Sequence, residues 1–137
     1  MVKFTWGNIC SSSSIDVNSN NISLFNIIEQ VNLLPDVVFP VTAQNPIQLI
    51  FSLRRENELL ENKNFDVRID LVGPNEIVIE SFPLTITFEK DKNKMRGVVE
   101  VMNLKMSSSG VHRFVIVEVD TSNILGEVSY EVFTKPN

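Results

Sequence analysis

The chain has 137 residues, enough for one domain with its own core, so neither disulfides nor structural metals are needed to hold it together. Aspartate and glutamate outnumber lysine and arginine 17 to 12, and the net charge of −5 opposes non-specific nucleic-acid binding, which depends on cations neutralising phosphates. No apolar run approaches the roughly 18 residues of a membrane span. The start Met1–Asn8 lacks a basic segment followed by an apolar one, and the single cysteine, Cys10, cannot close an internal disulfide. The expectation is one cytoplasmic domain over residues 1–137, without a transmembrane segment.

In chain order, Val2–Ile9 alternates around Phe4 and Trp6 and reads as a first strand. Ser11–Ser14 and Asn18–Asn21 read as turns around Ile15-Asp16-Val17. Within Ile22–Leu34, Leu24, Ile27, Ile28 and Val31 would fit one helical face. The surrounding segments are strand-like, however, and a buried strand can be apolar on both sides. A strand is therefore expected, with Phe25, Ile27, Val31 and Leu33 on one face. Pro35 and Pro40 remove ladder donors around Asp36–Phe39, making that segment an edge strand or a crossing. Ile47–Leu53 is a clearer strand, Arg54–Asn64 a charged loop or single helical turn, and Phe65–Leu71 a strand with Phe65, Val67, Ile69 and Leu71 inward. A three-residue turn Gly73–Asn75 would pair Leu71 with Ile77, Ile69 with Ile79 and Arg68 with Glu80. Phe82-Pro83 would then interrupt the ladder before Leu84, Ile86 and Phe88. Glu89–Lys94 is a polar turn, and Val98–Met106 the strand after it.

Gly110–Phe133 reads as one hairpin turning at Asp120–Ile124. A three-residue loop Thr121–Asn123 sets Ile116 opposite Val128, Phe114 opposite Tyr130 and His112 opposite Val132, with Arg113 against Glu131 on the other face. An even-length loop would lose the aromatic and the ion pair, each worth about 0.2–1 kcal/mol. This register gives Phe114, Ile116, Val128, Tyr130 and Val132 to the core. It leaves Val115, Val117 and Val119 beside Leu125 in an outward row, the candidate interaction surface. An apolar row of that kind calls for cover, either the Leu33–Asn45 segment or a second copy in a homodimer. Eight or nine short strands without a long helix predict an all-β, antiparallel β-sandwich.

Leu104 followed by Ser108-Ser109-Gly110-Val111-His112-Arg113-Phe114 resembles the D-x-G-x-Y-x-C run that enters a central strand of immunoglobulin-like domains. Here the disulfide is missing and His112 stands where that family has its corner tyrosine. The whole chain is also similar to a group of uncharacterised short bacterial and archaeal proteins. The shared features are a start like Ile9-Cys10 followed by Asp16, the run Ile22–Glu29, and an ending like Gly110-x-His-Arg-Phe with a final strand. The resemblance implies an immunoglobulin-like β-sandwich and supports strand over Ile22–Leu33. It implies no activity.

His112 is the single histidine, so Ser-His-Asp and Cys-His constellations lack a second copy to draw on, and a packed, hydrogen-bonded ring is expected. Cys10 has no basic neighbour and reads as a small buried hydrophobe. Asp66 and Asp70 share a strand face with Arg68 between them; with Glu80 they are what a carboxylate-dependent enzyme would use. Calcium would need roughly six to eight converging oxygens, which no D-x-D spacing supplies. Lys90, Lys92, Lys94 and Arg96 alternate around a turn as candidate contacts for phosphates or anionic lipid, with Glu89 and Asp91 interleaved. No cofactor, metal or catalytic set is expected. The sequence points to a non-catalytic binding or assembly module acting through a sheet face or edge. The alternatives are a carboxylate enzyme around Asp66, Asp70 and Glu80, or a membrane-surface module using the Lys90–Arg96 turn.

Overall fold

The computed structural model describes residues 2–56 and 60–134. Within them lie eleven strands and no helix: β1 (Val2–Ile15), β2 (Ile22–Ile27), β3 (Gln30–Leu33), β4 (Val41–Thr42), β5 (Ile47–Arg55), β6 (Lys63–Val72), β7 (Val78–Phe88), β8 (Lys94–Val101), β9 (Lys105–Met106), β10 (Gly110–Glu118) and β11 (Ile124–Thr134). Four strands form a first sheet in the order β2-β1-β5-β8, and five form a second in the order β3-β11-β10-β6-β7. A short β4-β9 pair completes the set, and no sheet closes into a barrel. Eight or nine strands were expected, all antiparallel; the added ones are short, and β3 runs parallel to β11.

Alternation along the strands explains the core. Ile9, Leu49, Phe51 and Leu53 of the first sheet and Val67, Ile69, Leu71, Phe114, Ile116 and Tyr130 of the second belong to one hydrophobic cluster. Each such side chain, fully buried, contributes about 1.5–3 kcal/mol. Phe4 of β1 lies on Gly126 of β11, where a Cβ would fall 2.2 Å from the ring, so only glycine lets the two sheets approach there.

Several local expectations are corrected. Ser11–Ser14 is strand, because this end of β1 leaves β5 at Cys10 and pairs with β2 alone, Ser12 facing Phe25 and Ser14 facing Ser23. Ile22–Leu34 is extended as expected but breaks after Ile27, so that β2 and β3 serve different sheets and Phe25 and Ile27 stay exposed. The Pro35–Pro40 segment is a crossing. Arg54 and Arg55 end β5, Lys63 and Asn64 begin β6, and positions 57–59 of that charged stretch lie outside the described residues.

The β6–β7 register also differs. Ile69 pairs with Phe82 and Leu71 with Glu80, so β7 runs through Pro83 without interruption. It can do so because β7 is an edge strand, where a missing N–H faces no partner. Val98–Met106 splits into the end of β8 and β9. In the β10–β11 hairpin Phe114 pairs with Val128 and His112 with Tyr130, two residues from the expected register. A two-residue slip keeps every side chain on its face, so Phe114, Ile116, Val128, Tyr130 and Val132 are all buried as expected. The irregularity between Ile116 and Val117 provides the odd residue that reconciles the turn with this pairing.

Candidate functional site

On the outer face of the second sheet the expected row of exposed valines does not form. Val115 and Val117 are 6% and 5% exposed and cluster with Val72. Arg113 bonds Glu127 at 3.1 Å and also Glu76, and Arg68 bonds Asp70 at 2.9 Å. These arginines line the same shallow depression as the three valines, along with Ile124, so their methylene stems and the turn do the covering. The Leu33–Asn45 segment packs elsewhere, with Leu33, Phe39, Val41 and Ala43 against the main core. Leu125 joins that core too, on the opposite side from the valines, and Val119 is exposed in the turn. Arg113 stands opposite Ser129 rather than Glu131.

The three acids of the enzyme reading are not brought together. Asp66 accepts a hydrogen bond from Thr85 Oγ1 at 2.7 Å, and Asp70 accepts from Arg68 Nε and, at 2.6 Å, from Ser81 Oγ. Burial pushes the Asp70 carboxyl up, but these donors and the Arg68 charge outweigh it and hold it below its ordinary value. Glu80 lies across from Leu71, on the other side of the sheet, 3.6 Å from Lys105 Nζ. A carboxyl lowered in this way suits a fixed ion pair rather than a proton donor near neutral pH.

His112 is fully buried. Its Nε2 accepts the Ser107 backbone N–H at 3.1 Å, which leaves Nδ1 to donate to the Gly110 carbonyl at 3.2 Å. Burial lowers its pKa, only partly offset by the Gly110 bond, so the ring is neutral. Tyr130 stacks on it at 5.1 Å and donates its hydroxyl to the Lys105 carbonyl at 2.8 Å. A neighbouring strand thus provides the backbone-tethering tyrosine that His112 cannot be.

A different constellation appears on the outer face of the first sheet, where cross-strand pairing aligns residues from β1, β5 and β8. One row is Lys3–Arg54–Lys94, the next Trp6–Ser52–Arg96, then Asn8–Ile50–Val98 and Cys10–Gln48–Glu100. The face therefore grades from cationic through apolar to polar. The β1–β2 hairpin folds back over its far half. Ser13 Oγ donates to Gln48 Oε1 at 2.6 Å, and the tip carbonyl of Asn20 accepts from Arg96 Nη2 at 3.0 Å. Ile50 and Cys10 point away from the main core yet are fully buried beneath this arm. Burial pushes the Cys10 thiol up, which keeps it protonated and inert. Asp16 fixes the tip by accepting the backbone N–H groups of Asn18 and Ser19 at 2.8 and 2.9 Å, and these bonds lower its pKa.

The uncovered half is a cleft of about 410 Å³ lined by Trp6, Asn20, Ser52, Arg54, Lys94 and Arg96, with Thr5 and Met95. Among the described residues Lys3 pairs with Glu56 at 3.1 Å, while Arg54, Lys94 and Arg96 have no carboxylate partner. Buried Arg55, next to Arg54 but on the inner side, lies over Phe88 and donates to the carbonyls of Glu61, Glu89 and, at 2.8 Å, Lys92. That clamp orients the turn leading into β8. Of the four cations singled out in the sequence, Lys94 and Arg96 thus enter the cleft and also line an adjoining depression with Lys92, Glu89 and Asp91, whereas Lys90 lines neither. Sequence reading missed Lys3, Trp6 and Arg54, which are far from Lys94 along the chain and meet it only through strand register.

No family model and no curated protein matches the chain. Among the described residues no helix is long and apolar enough to cross a membrane, and no group of three potential ligands could hold a metal ion.

Proposed function

We propose that this protein is a non-catalytic binding module on an immunoglobulin-like β-sandwich, and that it binds through the outer face of its first sheet. The observation that carries the reading is the Lys3–Arg54–Lys94 row, in which like charges stand directly opposite one another across three adjacent strands and, among the described residues, Lys3 alone has an acid partner, Glu56. Such opposition destabilises a sheet, whereas an opposite-charge pair at the same place contributes about 0.2–1 kcal/mol. A folding requirement would favour an acid at one of these positions; a binding surface for an anion favours the row as it stands. The resemblance to immunoglobulin-like domains is supported by the shared core of the two sheets and by the tyrosine tether beside His112. A cytoplasmic setting fits the lone buried thiol of Cys10.

Lys94→Glu tests the reading on the protein without ligand. It would face Arg54 with a carboxylate, and the expected result in denaturant melts is a gain of a few tenths to about 1 kcal/mol. A loss of stability would show that the row is supported by the fold and needs no ligand to explain it.

A further inference from the structure

We infer that the cleft beside Trp6 takes a small, soluble anion carrying linked phosphates. This rests on the reading that the outer face of the first sheet is the binding surface. Adjacent strands lie about 4.8 Å apart and alternate residues along a strand about 6.6 Å apart, so Arg54, Lys94 and Arg96 form a compact triangle of three cations rather than a stripe. A single carboxylate would answer one of them; a di- or triphosphate answers all three. The Arg54 guanidinium matches phosphate oxygens bidentately, Arg96 adds the N–H groups left by its bond to the Asn20 carbonyl, and Lys94 adds a point charge. Ser52 and Thr5 add hydroxyls to the lining, although Thr5 Oγ1 already donates to the Ser52 carbonyl at 2.9 Å.

The surroundings select against larger polyanions and bilayers. The arm tip at Asn20 walls the site on one side, so a flat lipid surface meets the arm before it meets Arg96. A net charge of −5 repels an extended nucleic acid or a strongly anionic membrane over most of the molecule, whereas a small anion experiences mainly the local cations. Half-buried Trp6 offers one flat apolar ring at the edge of the triangle, suited to a ligand with a planar group beyond its phosphates.

Trp6 is the single tryptophan, so its fluorescence reports occupancy directly. Sodium triphosphate titrated into the whole protein at low salt is expected to give a saturable change that weakens as salt is added. Arg54→Gln and Lys94→Gln are each expected to weaken it about tenfold or more. Lys94→Glu, expected to fold at least as well as the parent, should also lose the response. Phosphatidylglycerol vesicles provide the other arm and are expected to bind no better than neutral ones. The proposal is overturned by no saturable response to triphosphate, by an equal response in all variants, or by binding to vesicles alone. If triphosphate fails while Lys94→Glu is still stabilised, the ligand class is wrong and the binding face stands.

Discussion

His112 shows how one side chain can be fixed by its hydrogen bonds and then report on folding. Accepting at Nε2 and donating at Nδ1, it has no room for a second proton, and burial lowers its pKa from 6.5. The unfolded chain takes up that proton below about pH 6.5 while the folded one refuses it. Its contribution to stability is therefore complete above that pH and is lost as the pH falls. As the chain has one histidine, and carboxylates titrate mainly below pH 5, denaturant melts from pH 7.5 to 5 isolate the effect. Stability should decline over that range, with the ring titrating below 6.5 by NMR. A ring titrating at or above 6.5 would mean that the Ser107 N–H bond is not made. Asp70, also lowered, adds a second loss only in stronger acid, below its ordinary value of 3.8.

Strand β10 carries both environments on alternate residues. Phe114 is in the main cluster, and Phe114→Ala should cost about 3–5 kcal/mol through the cavity it leaves. Arg113, beside it on the outer face, makes two surface ion pairs, and Arg113→Ala should cost about 1 kcal/mol or less. Equal costs in denaturant melts would contradict the assigned faces. These faces were legible in the sequence because period-2 alternation fixes parity, and a slip of two residues leaves parity intact. The pairing itself was not legible: it turned on an irregularity near Val117 in one hairpin and, in the other, on Pro83 being tolerated at an edge. Nor could periodicity show that Ile22–Leu34 divides between two sheets. The outward parity of Val115 and Val117 was right, but their exposure was not, because arginine stems cover what alternation leaves outside.

At the scale of the whole molecule the two sheets present unlike outer faces. That of the second is closed by paired charges over a small valine cluster. That of the first is half covered by the β1–β2 arm and half open over cations that oppose one another. Only the assembled register makes this visible, since Lys3, Arg54 and Lys94 come from three separate strands. The most direct test is to map backbone amide shifts while sodium triphosphate is added to the 15N-labelled protein. Binding through the first sheet predicts the largest changes at Thr5, the Trp6 indole, Ser52, Arg54 and Lys94–Arg96, with smaller ones at Asn20. Changes centred on Val115, Val117 and Arg113 of the second sheet would contradict it, whereas no change at saturating triphosphate would reject the phosphate ligand and leave the face to the Lys94→Glu melt.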